Sequence, residues 1–92
     1  MHPYEALKKV PRGFVTTYRD LGVACRMHQR AVAALMRCNK DPENIPCYKV
    51  VMSDGRLGGY GLGIKKKIEL LRKDGIIVKN GGIDLNKYAY KF

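Results

Sequence analysis

The chain is poor in acidic residues and contains no long apolar run. Eight Asp and Glu stand against 18 Lys and Arg, and no stretch approaches the roughly 20 apolar residues that a membrane helix needs. The start, Met-His-Pro-Tyr-Glu, also lacks the basic and apolar regions of a signal peptide. We therefore expect a cytoplasmic protein with no membrane partner.

The three cysteines form no C-x-x-C pair, and the two histidines stand far from them in the sequence. This spacing indicates neither a zinc site nor a disulfide framework, so Cys25, Cys38 and Cys47 are expected to be reduced thiols. The glycine-rich run 58–63 follows no buried strand and ends in no Gly-Lys-Ser or Gly-Lys-Thr, which excludes a nucleotide phosphate loop. No metal or organic cofactor is expected.

Positive charge is the most prominent property that is present. With 92 residues the chain has room for one domain, which we expect to be a monomer, and its net charge is +10. Such a charge favours binding to a polyanion, of which nucleic acid is the obvious one. The alternative is that the excess lysine only keeps a small protein soluble.

Local patterns predict four helices. The first ends at Val10, before a proline, and the second starts after Thr17, which can cap it. The third covers about residues 29–39, and the fourth covers about 64–73 and stops at Gly75. Lys65, Lys66 and Lys67 of the fourth helix are expected to form a solvated face.

The third helix has two different faces. Val32, Leu35 and Met36 follow the spacing of a core stripe. The other face is small in the middle and cationic at both ends, which suits close approach to DNA, and consists of Arg30, Ala33, Ala34 and Arg37. The alternative is that the alanines are there as good helix formers. Together with the second helix, this pattern predicts a helix-turn-helix.

The remaining segments predict little regular structure. Val50 to Met52 predicts a strand and residues 53–55 a turn, with a return strand at 56–57. The expected fold is therefore mainly α with a small β-hairpin, a winged-helix-like helix-turn-helix domain over residues 1–75. The tail, residues 76–92, either packs back onto this domain or remains partly mobile.

Cys47 directly follows Pro46, so a thiol stands beside a rigid turn in a strongly cationic protein. This combination suggests sulfur chemistry on a polyanion. A free thiol, with a pKa near 8.5, must become a thiolate to react, and the nearby Lys49 and the overall positive charge favour that anion.

Several ordered motifs resemble the active-site, DNA-binding domain of the O6-alkylguanine-DNA alkyltransferases, together with their alkyltransferase-like relatives. The resemblance runs from about Tyr4 to Gly75. It rests on Val10-Pro11-Arg12-Gly13-x-Val15-x-Thr17-Tyr18, Arg30-Ala31-Val32, Asn39, Ile45-Pro46-Cys47-x-Lys49-Val50-Val51, Ser53-Asp54-Gly55-Arg56-Leu57-Gly58-Gly59-Tyr60 and Lys67-x-x-x-Leu71.

The resemblance implies a DNA repair protein that flips an O6-alkylguanine out of duplex DNA and moves the alkyl group irreversibly to Cys47. Arg30 would fill the space left by the base, Tyr18 would press on the adjacent phosphate, and Asn39 would hold the loop below the active site. The candidate catalytic residues are Cys47, Tyr48, Asp74 and Asn39. The candidate DNA-binding residues are Tyr18, Arg30, Ala33, Ala34, Arg37 and Lys49. The candidate pocket residues are Tyr60, Gly61, Val50 and Met36.

The sequence departs from the family at position 48, where Tyr48 replaces the usual histidine base and is a poor base itself. Asp74 stands where the family has a glutamate, and it can orient a partner or only hydrogen-bond Tyr48. The sequence begins where the second domain of typical members begins, so we expect a protein without their N-terminal domain, like the single-domain alkyltransferase-like proteins.

These departures leave three hypotheses open. The first is a single-turnover methyltransferase acting on double-stranded DNA. The second is a non-catalytic sensor that binds O6-alkylguanine and recruits downstream repair proteins, although such proteins usually carry tryptophan where this chain has Cys47. The third is a DNA-binding module without lesion preference.

Overall fold

The computed structural model describes all 92 residues, Met1–Phe92, and is mainly helical, which confirms the predicted class. Its helices are α1 (Pro3–Lys8), α2 (Tyr18–Cys25), α3 (Gln29–Arg37), α4 (Ile64–Lys73) and α5 (Leu85–Tyr88). Two short strands, β1 (Thr16–Thr17) and β2 (Val50–Val51), and a 3-10 turn at Cys47–Lys49 complete the fold. None of the helices has the length and apolar character required to cross a membrane.

Side-chain caps fix where the helices begin. The Thr17 hydroxyl accepts a hydrogen bond from the Asp20 N–H at 3.0 Å, which confirms the predicted cap of α2. The ring Nδ1 of His28 accepts from the Arg30 N–H at 3.1 Å and starts α3. This helix ends at Arg37, two residues before the predicted end.

A glycine ends α4 where the sequence predicted it. Gly75 has φ +86°, its N–H donates to the Arg72 carbonyl, and the Ile76 N–H donates to the Leu71 carbonyl. These two bonds form a Schellman motif, and both Leu71 and Ile76 are buried in the same apolar cluster. The last turn of α4 is therefore satisfied internally and locked to the core.

Helices α2 and α3 form the predicted helix-turn-helix unit, and they pack directly on each other. The chain reverses at Arg26, whose backbone is left-handed with φ 57°, and the Met27 N–H donates to the Gly22 carbonyl at 2.8 Å. A Cβ on Gly22 would lie 2.6 Å from the Met27 carbonyl oxygen. The turn therefore requires glycine at this position.

The β structure differs from the predicted hairpin. The turn at residues 53–55 is present, and it is closed by a hydrogen bond of 2.8 Å that the Met52 N–H donates to the Arg56 carbonyl. However, β2 pairs in parallel with β1, with Thr16 opposite Val50 and Thr17 opposite Val51. The expected return strand at 56–57 pairs instead with residues 81–82, which are distant in sequence and invisible to local patterns.

The short sheet separates two apolar clusters. Successive side chains of a strand point to opposite faces, so Val50 packs into a cluster formed with α1, α2 and α3, whereas Val51 packs into one formed with α4 and the C-terminal segment. Cys47 belongs to the first cluster and is 8% exposed.

The C-terminal segment, residues 76–92, packs onto the rest of the chain. Ile76, Val78, Ile83 and Tyr88 are buried in the second cluster. The backbone of Val15 bonds to this segment twice, as its N–H donates to the Tyr88 carbonyl and its carbonyl accepts from the Tyr90 N–H. Of the two alternatives for this segment, the structure has the packed one.

Candidate functional site

A tight turn presents the thiol of Cys47. The Cys47 N–H donates to the Ile45 carbonyl at 2.7 Å, and Pro46 between them has φ −78° and ψ 66°, the geometry of an inverse γ-turn. The amide of Asn39 braces the loop before it, donating to the Ile45 carbonyl at 2.9 Å and accepting from the Asp41 N–H at 2.9 Å. The predicted rigid turn thus exists, and Asn39 lies where it can hold it.

A cavity of about 350 Å³ opens in front of Cys47. Its walls come from the start of α2, from α3, from the cysteine turn and from the glycine-rich loop. The lining residues are Tyr18, Ala33, Met36, Arg37, Cys47, Gly59, Tyr60 and Gly61. Its size is within the range of small-molecule sites, about 300–1,000 Å³. Seven of these eight residues are among the predicted site residues, so the structure brings residues from four separate segments together around one thiol.

One polar atom in this cavity has no partner. The phenol oxygen of Tyr60 is buried and makes no hydrogen bond. Burial, followed by the charge of Cys47, raises the pKa of Tyr60, so the phenol keeps its proton at neutral pH. A buried O–H without an acceptor costs free energy unless a ligand supplies one.

The cationic face of α3 lies beside the cavity and meets solvent. Arg30 and Arg37 are exposed at its two ends, and Ala33 and Ala34 between them are partly exposed. The opposite side of the helix carries Val32 and Met36, both buried. The face is therefore free to contact a large partner, and Ala33 and Arg37 also line the cavity.

Tyr18 connects the cavity to α2. Its ring packs against the first apolar cluster and lines the cavity. Burial raises its pKa, followed by the nearby charge of Cys47, so this phenol is also neutral at physiological pH.

Tyr48 and Asp74 pair with each other but do not line the cavity. The Tyr48 hydroxyl donates to Asp74 Oδ2 at 2.6 Å, and Arg12 Nε lies 3.6 Å from Asp74 Oδ1. Burial first, and then the hydrogen bond to Asp74, raise the pKa of Tyr48 well above its usual value. A phenol that is already donating its proton to a carboxylate cannot take a proton from a thiol.

Two predicted site residues lie in the interior instead. Lys49 was expected to contact DNA, but it is 6% exposed and its ammonium donates to the Val10 carbonyl at 2.9 Å. Burial lowers its pKa. Val50 was expected to line the pocket, but it is a fully buried strand residue with its side chain in the first cluster. Both expectations are wrong because tertiary packing encloses the end of the 3-10 turn and the start of β2, which the order of residues along the chain does not show.

The sequence reasoning missed Lys67. It was expected on the solvated face of α4, yet it is fully buried and donates to three backbone carbonyls. A signal was present, because Lys67 occupies the stripe that also contains Ile64, Ile68 and Leu71. No group of three or more His, Cys, Asp or Glu side chains is arranged to hold a metal ion.

Comparison with known proteins identifies relatives of this chain. The family profile described as "6-O-methylguanine DNA methyltransferase, DNA binding domain" matches residues 2–76. A bifunctional methyltransferase/endonuclease of Picrophilus torridus is 54% identical over 89 residues, which is 95% of this chain and 30% of that protein. The chain thus spans about a third of the length of that relative.

Two solved structures share the fold. The O6-methylguanine-DNA methyltransferase of the hyperthermophilic archaeon Pyrococcus kodakaraensis is 44% identical, with a TM-score of 0.76 over 80% of this chain and 44% of that one. S. pombe Atl1, solved with damaged DNA containing O6-carboxymethylguanine, is 20% identical, with a TM-score of 0.87 over 98% of this chain and 92% of that one. The second likeness includes the C-terminal segment and concerns the fold alone.

Proposed function

Given that this chain belongs to the 6-O-methylguanine DNA methyltransferase family, we propose that it transfers an alkyl group from an O6-alkylguanine in duplex DNA to Cys47. The observation that carries this proposal is the thiol itself. Cys47 lines a cavity of about 350 Å³ that is bordered by the cationic helix α3. A base that leaves the duplex beside this helix would enter the cavity with its edge towards the sulfur.

The charge of the chain supports DNA binding. The net charge is +10, and α3 has an arginine at each end of a face whose middle residues are alanines. Neutralising phosphates with Lys and Arg releases counterions, so the affinity falls as salt rises. Arg30, which is exposed near the start of α3, would occupy the gap left by the extruded base, and Tyr18 would contact the neighbouring phosphate.

The cavity supplies contacts for the extruded base. Unstacking and unpairing a base costs a few kcal/mol, which a fitted pocket and an inserted side chain offset. The Tyr60 hydroxyl has no partner and can donate to a base acceptor. Gly59 and Gly61 would let the backbone come close to the ring, because no atom lies within 4 Å of where either Cβ would be.

The reaction is a displacement at carbon. The Cys47 thiolate would attack the alkyl carbon, and a carbon–sulfur bond would form as the carbon–O6 bond breaks. The bonding electron pair stays on the guanine, which takes up one proton. The product is a stable thioether, so each protein molecule would act once.

Intact-mass measurement tests this function. The protein is incubated with excess duplex containing O6-methylguanine, and we expect a gain of one CH₂ unit per molecule, located on the peptide that contains Cys47. A Cys47→Ser variant is the matched control and should gain nothing, although Cys38 is exposed and still present. An unchanged mass in the wild type would overturn the transfer reaction.

One observation favours a second function. Tyr48 is held by Asp74 as a hydrogen-bond donor, so the base that the family uses is missing. The second candidate is therefore a non-catalytic sensor that binds the same lesion and recruits other repair proteins. It predicts tighter binding to lesion-containing duplex than to undamaged duplex, without any gain in mass. Equal affinity for the two duplexes would rule this candidate out.

A further inference from the structure

Lys67 joins the two sides of the Cys47 cavity. Its ammonium on α4 donates to the Val50 carbonyl at 2.7 Å, the Leu57 carbonyl at 2.5 Å and the Gly59 carbonyl at 3.2 Å. Val50 directly follows the 3-10 turn that Cys47 begins, whereas Gly59 belongs to the glycine-rich loop that lines the cavity. Helix α4 also packs on that 3-10 turn.

These three bonds define the charge state of Lys67. A neutral amine has only two N–H donors, but an ammonium has three, and here three carbonyl oxygens accept. The arrangement therefore suits the charged form. Because the side chain is fully buried, its charge is screened much less by solvent and salt than an exposed charge would be.

The groups around Cys47 include no acid and no histidine. Tyr18 from α2, Arg37 from α3 and Tyr60 from the glycine-rich loop line the cavity with Cys47. The charge of Cys47 also acts on Tyr4 of α1 and on Lys67 of α4. Burial raises the pKa of all three tyrosines, so they are neutral at pH 7. Of the two cations, Arg37 is exposed, and only Lys67 is buried.

Two other charged groups lie near the cysteine turn. The Asp74 carboxylate accepts from Tyr48 and lies beside Arg12, and the Lys49 ammonium is bound to the Val10 carbonyl. Lys67 differs from Lys49 in two respects. It bonds to the backbone of Gly59, which lines the cavity, and it is the buried cation on which the charge of Cys47 acts.

We propose that Lys67 is a positioning residue that stabilises the thiolate of Cys47 in place of a histidine base. The inference rests on the proposed function, because a thiolate at Cys47 is the nucleophile of that reaction. The thiol proton is released to solvent, and the sulfur anion is retained beside the ammonium. Burial lowers the pKa of Lys67 to about 8 while the charge of Cys47 opposes this, so most of the ammonium persists at neutral pH.

Alkylation of the thiol by iodoacetamide tests this role without DNA. The rate at the Cys47 peptide is measured across about pH 6 to 10 by mass spectrometry, a range that includes the usual thiol midpoint. In Lys67→Met we expect the rate at pH 7 to fall about tenfold, because a thiolate without the neighbouring ammonium is less stable. Lys67→Arg, which keeps the charge, should recover part of the rate. Cys38 in the same molecule is the internal control, and its profile should not change.

A reciprocal measurement avoids replacing Lys67. The titration of the Lys67 side chain is followed by NMR in the wild type and in Cys47→Ser, which cannot form a thiolate. Because coupling between two sites is reciprocal, the Lys67 midpoint should fall in Cys47→Ser. This arm decides the question if Lys67→Met does not fold.

Unchanged Cys47 reactivity in folded Lys67→Met, or an unchanged Lys67 midpoint in Cys47→Ser, would overturn the inference. If both expected changes are observed but the protein transfers no alkyl group from DNA, the proposed function is overturned and the role of Lys67 is not.

Discussion

At the scale of single residues, the pair Tyr48 and Asp74 decides how Cys47 can be activated. Both residues could be picked out from the sequence, because the departure from histidine is visible and a phenol is a poor base. The direction of the pair, with the phenol donating to the carboxylate at 2.6 Å, required the structure. Lys67 was missed because three consecutive lysines on a helix resemble a solvated face, although its place on the stripe of Ile64, Ile68 and Leu71 distinguishes it from the other two.

Replacing Tyr48 with phenylalanine tests whether the Tyr48 hydroxyl only donates to Asp74 and supplies no base to Cys47. Tyr48→Phe removes a hydrogen bond to a charged, mostly buried carboxylate, so the free energy of unfolding should fall by about 1–2 kcal/mol. Cys47 alkylation at pH 7 should be unchanged, because the phenol supplies no base. Tyr60→Phe is the matched control for stability, since its hydroxyl has no partner, and urea unfolding measures both variants. A large loss of Cys47 reactivity in Tyr48→Phe would contradict the account.

At the scale of elements, short-range rules found four of the five helices and failed for the strands. They missed the short α5 in the tail and extended α1 to Val10, although it ends at Lys8. The Thr17 cap and the Gly75 stop are local signals, so the start of α2 and the end of α4 could be predicted. The strand β2 pairs with β1, more than 30 residues earlier in the chain. No local pattern contains that pairing. Because the packing around β2 also depends on distant segments, Lys49 was wrongly expected at the DNA surface and Val50 in the pocket, although both are buried.

The turn between α2 and α3 provides an element-scale prediction. Gly22→Ala would bring a Cβ to 2.6 Å from the Met27 carbonyl oxygen, and relieving this clash should cost about 1–3 kcal/mol of stability. The affinity for DNA should fall together with the stability, because α3 would no longer pack in the same position on α2. Gly61→Ala is the control, as no atom lies within 4 Å of its Cβ position. Equal urea midpoints for the two variants would show that the turn tolerates a side chain.

At the scale of the whole molecule, charge and topology act together. The net charge of +10 could be read from the sequence and predicts general attraction to nucleic acid. The position of the C-terminal segment could not, because the bonds from Val15 to Tyr88 and Tyr90 connect opposite ends of the chain. That segment supplies Ile76, Val78, Ile83 and Tyr88 to the second apolar cluster, and its Tyr90 packs against the first cluster, which contains Cys47.

General attraction to DNA and recognition of the lesion can be separated by two substitutions that each remove one positive charge. Arg30→Ala should weaken binding to O6-methylguanine duplex about tenfold or more, and binding to undamaged duplex much less, because only base extrusion needs a side chain in the gap. Lys65→Ala removes one exposed charge outside α3 and should weaken both equally and slightly. Fluorescence anisotropy at fixed salt measures both duplexes. If Arg30→Ala weakened binding to the two duplexes by the same factor, as Lys65→Ala is expected to do, base flipping by Arg30 would be contradicted.

The most direct test of the central claim is the mass of the Cys47 peptide after the protein has met an excess of O6-methylguanine duplex. The account predicts a single methyl group on that sulfur, no more than one per protein molecule, and none on Cys25 or Cys38. An unmodified Cys47 peptide from protein that demonstrably bound the duplex would contradict it.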